Sequence, residues 1–332
     1  MRMMGRNILG VGVAIILICS NTFAFDKKIL LFGLRQAAAD AKYFCQNTPN
    51  CQLIDEKTEE FSNGDTFVRV KTELAGQRVG ILIPSKMSAQ TLMETLIKIR
   101  TAKTLGAREI MAYCDLRLPQ VEVSSESGIL SLPLESFLKV AGVESVVEKG
   151  RKSRPTAREM LTAPKTNLTH SIIINDNHDS VAKDISAALS VPVFESDMLL
   201  PTAFKNAQVS FVRPTVVPKS QTFFEALSKI RKMTKYGAAV TWVTPLPWAR
   251  SDKADQKGVT VIGRLVADLI ESVGTEAIVF ARAHAPQSQG FFNIPSFNVL
   301  GLNTLGEYLK SQGVEMVVSP DTGFQKDATL YA

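Results

Sequence analysis

The 332-residue chain carries 38 Lys and Arg against 32 Asp and Glu, a formal net charge of +6. With 45% apolar and 21% charged residues it is a folding chain, not a disordered one, and it is long enough for two domains with a core each. The positive excess is too mild for a dedicated nucleic-acid binder, and three histidines without a CxxC pair argue against a zinc site.

Arg2 and Arg6 precede an apolar run from Ile8 to Cys19, and small residues at Thr22 and Ala24 come before Asp26, Lys27 and Lys28. This is the order of a secretory signal. Residues 1–24 are therefore expected to lie outside the fold, with a mature chain that begins at Phe25 in the periplasm or outside the cell. The run is shorter than the roughly 20 residues of a membrane-spanning helix. Cys19 follows Ile18, where a lipid anchor needs a small residue, so no stable membrane anchor is expected. An uncleaved N-terminal anchor is the alternative. Loss of Arg2 and Arg6 would lower the charge from +6 to +4.

The first domain, residues 25–148, opens with an apolar strand over Lys28–Leu34 and an alanine-rich helix over Gln36–Phe44. Alternation predicts a half-buried strand over Thr66–Lys71, and continuous apolar character a buried one over Arg78–Ile83. A helix over Ala89–Leu105 closes on Gly106. A strand over Glu109–Cys114, a helix over Ser131–Val140 and a strand over Glu144–Glu148 complete this half. Residues 149–168 are basic and contain Pro155 and Pro164, which reads as a solvated linker. The second domain, 169–332, follows the same script. Strands are predicted at Ser171–Ile174, Gln208–Val212, Ala239–Val243 and Ala277–Phe280, and helices at Ser180–Leu189, Gln221–Tyr236 and Val261–Val273. Strands alternating with helices imply parallel sheets covered on both faces.

The two halves echo each other in sequence. Thr91, Glu94, Leu96, Lys98, Ile99 and Arg100 return at constant spacing as Thr222, Glu225, Leu227, Lys229, Ile230 and Arg231. Gly142, Glu144 and Val147 return as Gly274, Glu276 and Val279. A period of roughly 130 residues is far above the 20–50 of a solenoid unit, so two copies of one domain are expected. Beyond residue 24 the cysteines are Cys45, Cys51 and Cys114. Cys45 and Cys51 either close a small loop or stay free beside Cys114.

The second half carries the most recognisable blocks. They are Pro245-Leu-Pro-Trp-Ala-Arg250-Ser-Asp252-Lys253, His284-Ala-Pro-Gln-Ser-Gln-Gly290-Phe-Phe-Asn293-Ile-Pro295 and Ser319-Pro-Asp-Thr-Gly323. In this order they resemble the N-terminal domain of ribose-phosphate diphosphokinases, also called phosphoribosyl pyrophosphate synthetases. Phe61-Ser-Asn63-Gly-Asp65 resembles a turn of the same family, more weakly. The resemblance implies two tandem phosphoribosyltransferase-like α/β domains. It also implies a magnesium-dependent transfer of diphosphate from ATP to ribose 5-phosphate. In that family one subunit supplies the arginine loop of the ATP site and its neighbour supplies the turn.

Carried onto this chain, the resemblance makes Phe61, Asn63, Asp65, Arg250, Asp252 and Lys253 the nucleotide-binding candidates. His284 is the metal-ligand candidate, with magnesium as the cofactor. The first half keeps the turn and the second keeps the arginine loop, so the expected arrangement is an internal pseudo-dimer with one composite site, itself open to further self-association. Independent decay of the two copies is the alternative reading. Arg282 and Asn293 replace acids of the family, and the family's second domain would begin where this chain approaches Ala332. No catalytic residue is therefore assigned. The expectation is an exported, degenerate protein that binds a nucleotide or another phosphate. An active diphosphokinase and an exported two-domain solute-binding protein are the alternatives.

Overall fold

The structure is a computed structural model. It describes residues 28–60, 66–114, 121–148, 151–153, 168–176, 180–195, 199–214, 219–244, 261–281, 283, 285–299 and 301–319, and in the last stretch 322, 325, 328 and 329.

The first half builds on β1 (Ile29–Phe32), α1 (Ala38–Asn47) and β2 (Cys51–Leu53). A hairpin follows, β3 (Glu56–Glu60) and β4 (Thr66–Val70), and then β5 (Arg78–Ile83), β6 (Lys86–Ser88) and α2 (Ala89–Thr104). Next come β7 (Glu109–Cys114), β8 (Glu122–Ser125), β9 (Gly128–Ile129), α3 (Leu134–Ala141), β10 (Ser145–Glu148) and β11 (Arg151–Ser153). The second half runs β12 (His170–Asn175), α4 (Ser180–Leu189), β13 (Val193–Phe194), β14 (Ala207–Val212), α5 (Lys219–Lys235), β15 (Ala239–Thr244), α6 (Ile262–Ser272), β16 (Thr275–Ala281), β17 (Ser296–Val299) and α7 (Leu302–Ser311).

Among the described residues two six-stranded sheets result, in the orders β2-β1-β5-β7-β10-β11 and β13-β12-β14-β15-β16-β17. The first five strands of each are parallel and follow the same path, strand two outside strand one and strands three to five beyond it. The sixth strands differ. β11 folds back antiparallel on β10, whereas β17 joins β16 parallel after a crossover. Arg151–Ser153, expected in the linker, is thus an edge strand of the first sheet.

The strands form where apolar runs allow burial on both faces: Ile29, Leu30, Leu31 and Phe32 are all buried. Helix α2 begins because the Ser88 hydroxyl accepts from the Thr91 amide at 3.1 Å, an N-cap. It is followed by Gly106 at φ 79°, a conformation that costs glycine little. Cys45 of α1 and Cys51 of β2 form a disulfide, and Cys114 is buried outside it. One outer face of each sheet is covered by α1 or α4. The opposite faces meet: α2 and α3 of the first half pack against α5 and α6 of the second, and one apolar core runs through both. Phe137 of α3 and Phe224 of α5 stand with ring centroids 5.9 Å apart inside it. No helix of the described residues is long and apolar enough to cross a membrane.

Candidate functional site

In an open parallel sheet, ligands gather outside the carboxyl ends of the strands where the strand order reverses. That point lies between β1 and β5 in one half and between β12 and β14 in the other. Both points carry charged groups arranged around a buried cation.

In the first half, Lys98 of α2 is the centre, its side chain only 2% exposed. Its Nζ donates to the Gly33 carbonyl at the end of β1 and to Glu56, the first residue of β3. It also meets Glu94, one turn earlier on α2, at 2.7 Å. Arg35 donates to the two oxygens of Glu94 from its backbone N and its Nε, each at 3.1 Å. Burial pushes the Glu56 carboxyl above its ordinary value despite the attraction of Lys98. Burial also pushes Glu94 up, but Lys98 and Arg35 outweigh it and hold this carboxyl below the ordinary range.

In the second half, Arg213 takes the centre, just past β14. Its guanidinium bonds Asp176, just past β12, at 2.8 Å and also bonds Glu225 of α5. Lys229, one turn on from Glu225, meets Asp176 at 2.8 Å. The Arg213 carbonyl accepts from the indole of buried Trp242 at 3.0 Å, which fixes the backbone there. Glu225 is further held from the other half: the Ser127 hydroxyl donates to it at 2.9 Å. Burial raises the Glu225 carboxyl, yet hydrogen bonds from Ser125 and Ser127 and the charge of Arg213 together keep it low.

Each set therefore pairs two cations with two carboxylates and is neutral by its own members. An anionic ligand entering either crevice would have to break ion pairs that are already formed, at the cost of stranding a buried charge. Sequence reasoning missed both sets. The available signal was the Glu-x-x-x-Lys spacing of Glu94–Lys98 and Glu225–Lys229, which recurs in the repeated helices.

The halves are also joined by polar contacts. The Ser131 amide donates to the Ser228 hydroxyl at 3.1 Å. Arg100 of α2 pairs with Asp268 of α6 and donates to the Val140 carbonyl at 2.6 Å.

Phe61, Asn63 and Asp65 fall between β3 and β4, and Arg250, Asp252 and Lys253 between β15 and α6. Both groups lie outside the described residues, as do Arg282 and His284. Asn293 is described. Its backbone N and Nδ2 donate to the two oxygens of Glu271 at 2.7 and 3.0 Å. The side chain ties the end of the short helix Pro286–Phe291 to α6, and Arg264 reinforces the tie through the Phe291 carbonyl at 2.9 Å. An aspartate at 293 would set a second carboxylate against Glu271. Among the described residues no group of three His, Cys, Asp or Glu could hold a metal ion.

The architecture is thus that of a doubly wound α/β protein. Residues 29–114 match the model of the N-terminal domain of ribose phosphate pyrophosphokinase. The match falls on the first half, where the sequence blocks read as weaker. Among similar proteins, the ribose-phosphate pyrophosphokinase of Helicobacter pylori is 27% identical over 169 residues, 47% of this chain and 53% of the relative. Ribose-phosphate pyrophosphokinase A of Dictyostelium discoideum is 29% identical over 172 residues, 47% of this chain and 54% of the relative. The enzyme of Bacillus caldolyticus is 33% identical over 125 residues, 36% and 40%. The chain spans about half the length of the curated relatives it matches. A crystal structure of phosphoribosylpyrophosphate synthetase from Mycobacterium smegmatis aligns over 86% of this chain and 99% of its own, with a TM-score of 0.30 and 15% identity. The chain resembles ribose-phosphate pyrophosphokinases, and the architecture given above rests on its own sheet orders.

Proposed function

We propose that this is an exported, non-catalytic protein that binds a nucleotide or another phosphate at a site shared between its halves. Phe61, Asn63 and Asp65 would come from the first half and Arg250, Asp252 and Lys253 from the second. An aromatic face suits a base, and an arginine with a lysine suits phosphates. One observation carries the reading: the segment after β7 crosses to the other half, where Ser127 reaches Glu225 and Ser131 reaches Ser228. β15 holds in the second sheet the place that β7 holds in the first, and the shared site requires Arg250 and Lys253, which follow β15 in sequence, to reach the β3–β4 hairpin.

The neutral switch points support a site elsewhere than in either sheet's own crevice. The tie of Asn293 to Glu271 supports loss of catalysis, because that position clamps a helix and does not offer a ligand. Magnesium would arrive with the nucleotide's phosphates, with His284 as the residue to test. Export is supported by the Ile8–Cys19 run and by the Cys45–Cys51 bond, which suits an oxidising compartment.

Calorimetric titration of the purified protein with ATP, ADP, AMP and ribose 5-phosphate tests the reading. A nucleotide should bind, Arg250→Ala and Phe61→Ala should each weaken it, and the two should couple in a double-mutant cycle. ATP with magnesium and ribose 5-phosphate should yield no AMP. Robust AMP release lost in Arg250→Ala would restore the active enzyme. Silence toward all four ligands would sink the shared site.

A further inference from the structure

We infer that Lys98 is the positioning residue of the β3–β4 hairpin, and through it of the first half's share of the ligand site. The second clause rests on the reading just given.

Among the described residues β3 and β4 pair only with each other. A lone two-stranded hairpin is marginal in water and has to be held by packing or charge. β4 is held by apolar contact, since Val68 and Val70 enter the core. β3 has the sequence Glu-Lys-Thr-Glu-Glu and offers no apolar residue. Its first residue, Glu56, instead turns into the interior and reaches Lys98. The Thr58 hydroxyl, two residues on, donates to the other oxygen of Glu56 at 3.0 Å and steadies the carboxylate. The same ammonium holds the Gly33 carbonyl and Glu94. One buried cation thereby joins the end of β1, the helix α2 and the start of the hairpin. Polar groups bonded this way fix geometry more than they add stability, because both ions have lost their water.

Residue-resolved hydrogen exchange and ATP titration on four proteins separate positioning from stability. These are the wild type, Lys98→Met, Glu56→Gln and the double variant. Lys98→Met alone strands Glu56 and should lower the melting temperature. Adding Glu56→Gln removes the stranded charge, so the double variant should melt close to Glu56→Gln. Its amides between Lys57 and Val70 should nevertheless exchange about tenfold faster than in the wild type, with those of α5 unchanged, and ATP should bind about tenfold more weakly. If the double variant recovers both melting temperature and hairpin protection, Lys98 is only a structural counter-ion and the inference is overturned. If the hairpin loosens but ATP binds as before, the link to the ligand is overturned. If the wild type binds no nucleotide, the shared-site reading falls, and hairpin exchange alone decides what Lys98 does.

Discussion

The two switch points solve one problem with different residues. Each must satisfy a glutamate, Glu94 or Glu225, that a repeated helix buries. In the first half lysine is central and the fourth member, Glu56, comes from a hairpin of the same half. In the second, arginine is central, and the pressure on Glu225 is relieved by serines reaching across from the other half. The difference teaches that both sets balance their own charge, but the first is satisfied within its half whereas the second also takes a hydrogen bond from its neighbour.

Removing each central cation tests this most strongly. Lys98→Met leaves Glu56 with only the Thr58 hydroxyl, and the loss should be about 3–5 kcal/mol in urea denaturation. Arg213→Met should cost less, because Glu225 keeps Ser125 and Ser127 and Asp176 keeps Lys229. A larger loss at Arg213 would break the comparison.

Acid titration comes next. Glu94 and Glu225 have depressed folded pKa values, so their stabilisation is present above the ordinary value of 4.5 and lost as pH falls through the folded values. Glu56 is raised, so its contribution is complete below 4.5 and lost as pH rises through its folded value. Melting temperature should therefore drop below pH 4.5 in the wild type and drop less in Glu94→Gln. Glu56→Gln should leave that acid drop at least as steep. A flatter curve in Glu56→Gln would mean that its carboxyl is depressed, against the effect of its burial.

The smallest effect sharpens the cross-half dependence. Ser127→Ala removes one hydrogen bond to a charged group and should cost about 1.5 kcal/mol or somewhat more. That loss should vanish in an Arg213→Met, Glu225→Met background, where no acceptor remains at position 225. Persistence there would mean that Ser127 acts on something other than Glu225.

Apolar strands were legible in the sequence because burial on both faces leaves continuous runs such as Ile29–Phe32 and Arg78–Ile83. The hairpin strand β3 was not legible, since Glu56–Glu60 has no apolar residue and is placed by one buried ion pair. β11 was hidden in a basic stretch that reads as solvated. β17, with Phe297 and Val299 exposed, follows a loop and carries too short a pattern. The Cys45–Cys51 bond was one of two open choices until the chain path brought α1 beside β2. Asn293 looked like a lost acid because spacing alone cannot show that Glu271 stands opposite it. The candidate nucleotide residues came from block order, and all of them fall outside the described residues.

The single apolar core running through α2, α3, α5 and α6 carries a consequence for how the molecule comes apart. Its cohesion does not depend on the peptide bonds between Ser153 and Leu168. A protease that cuts there should leave two fragments that co-migrate on gel filtration and part only in denaturant. Either fragment expressed alone would present a bare apolar face and should aggregate, or be rescued by the other when the two are made together.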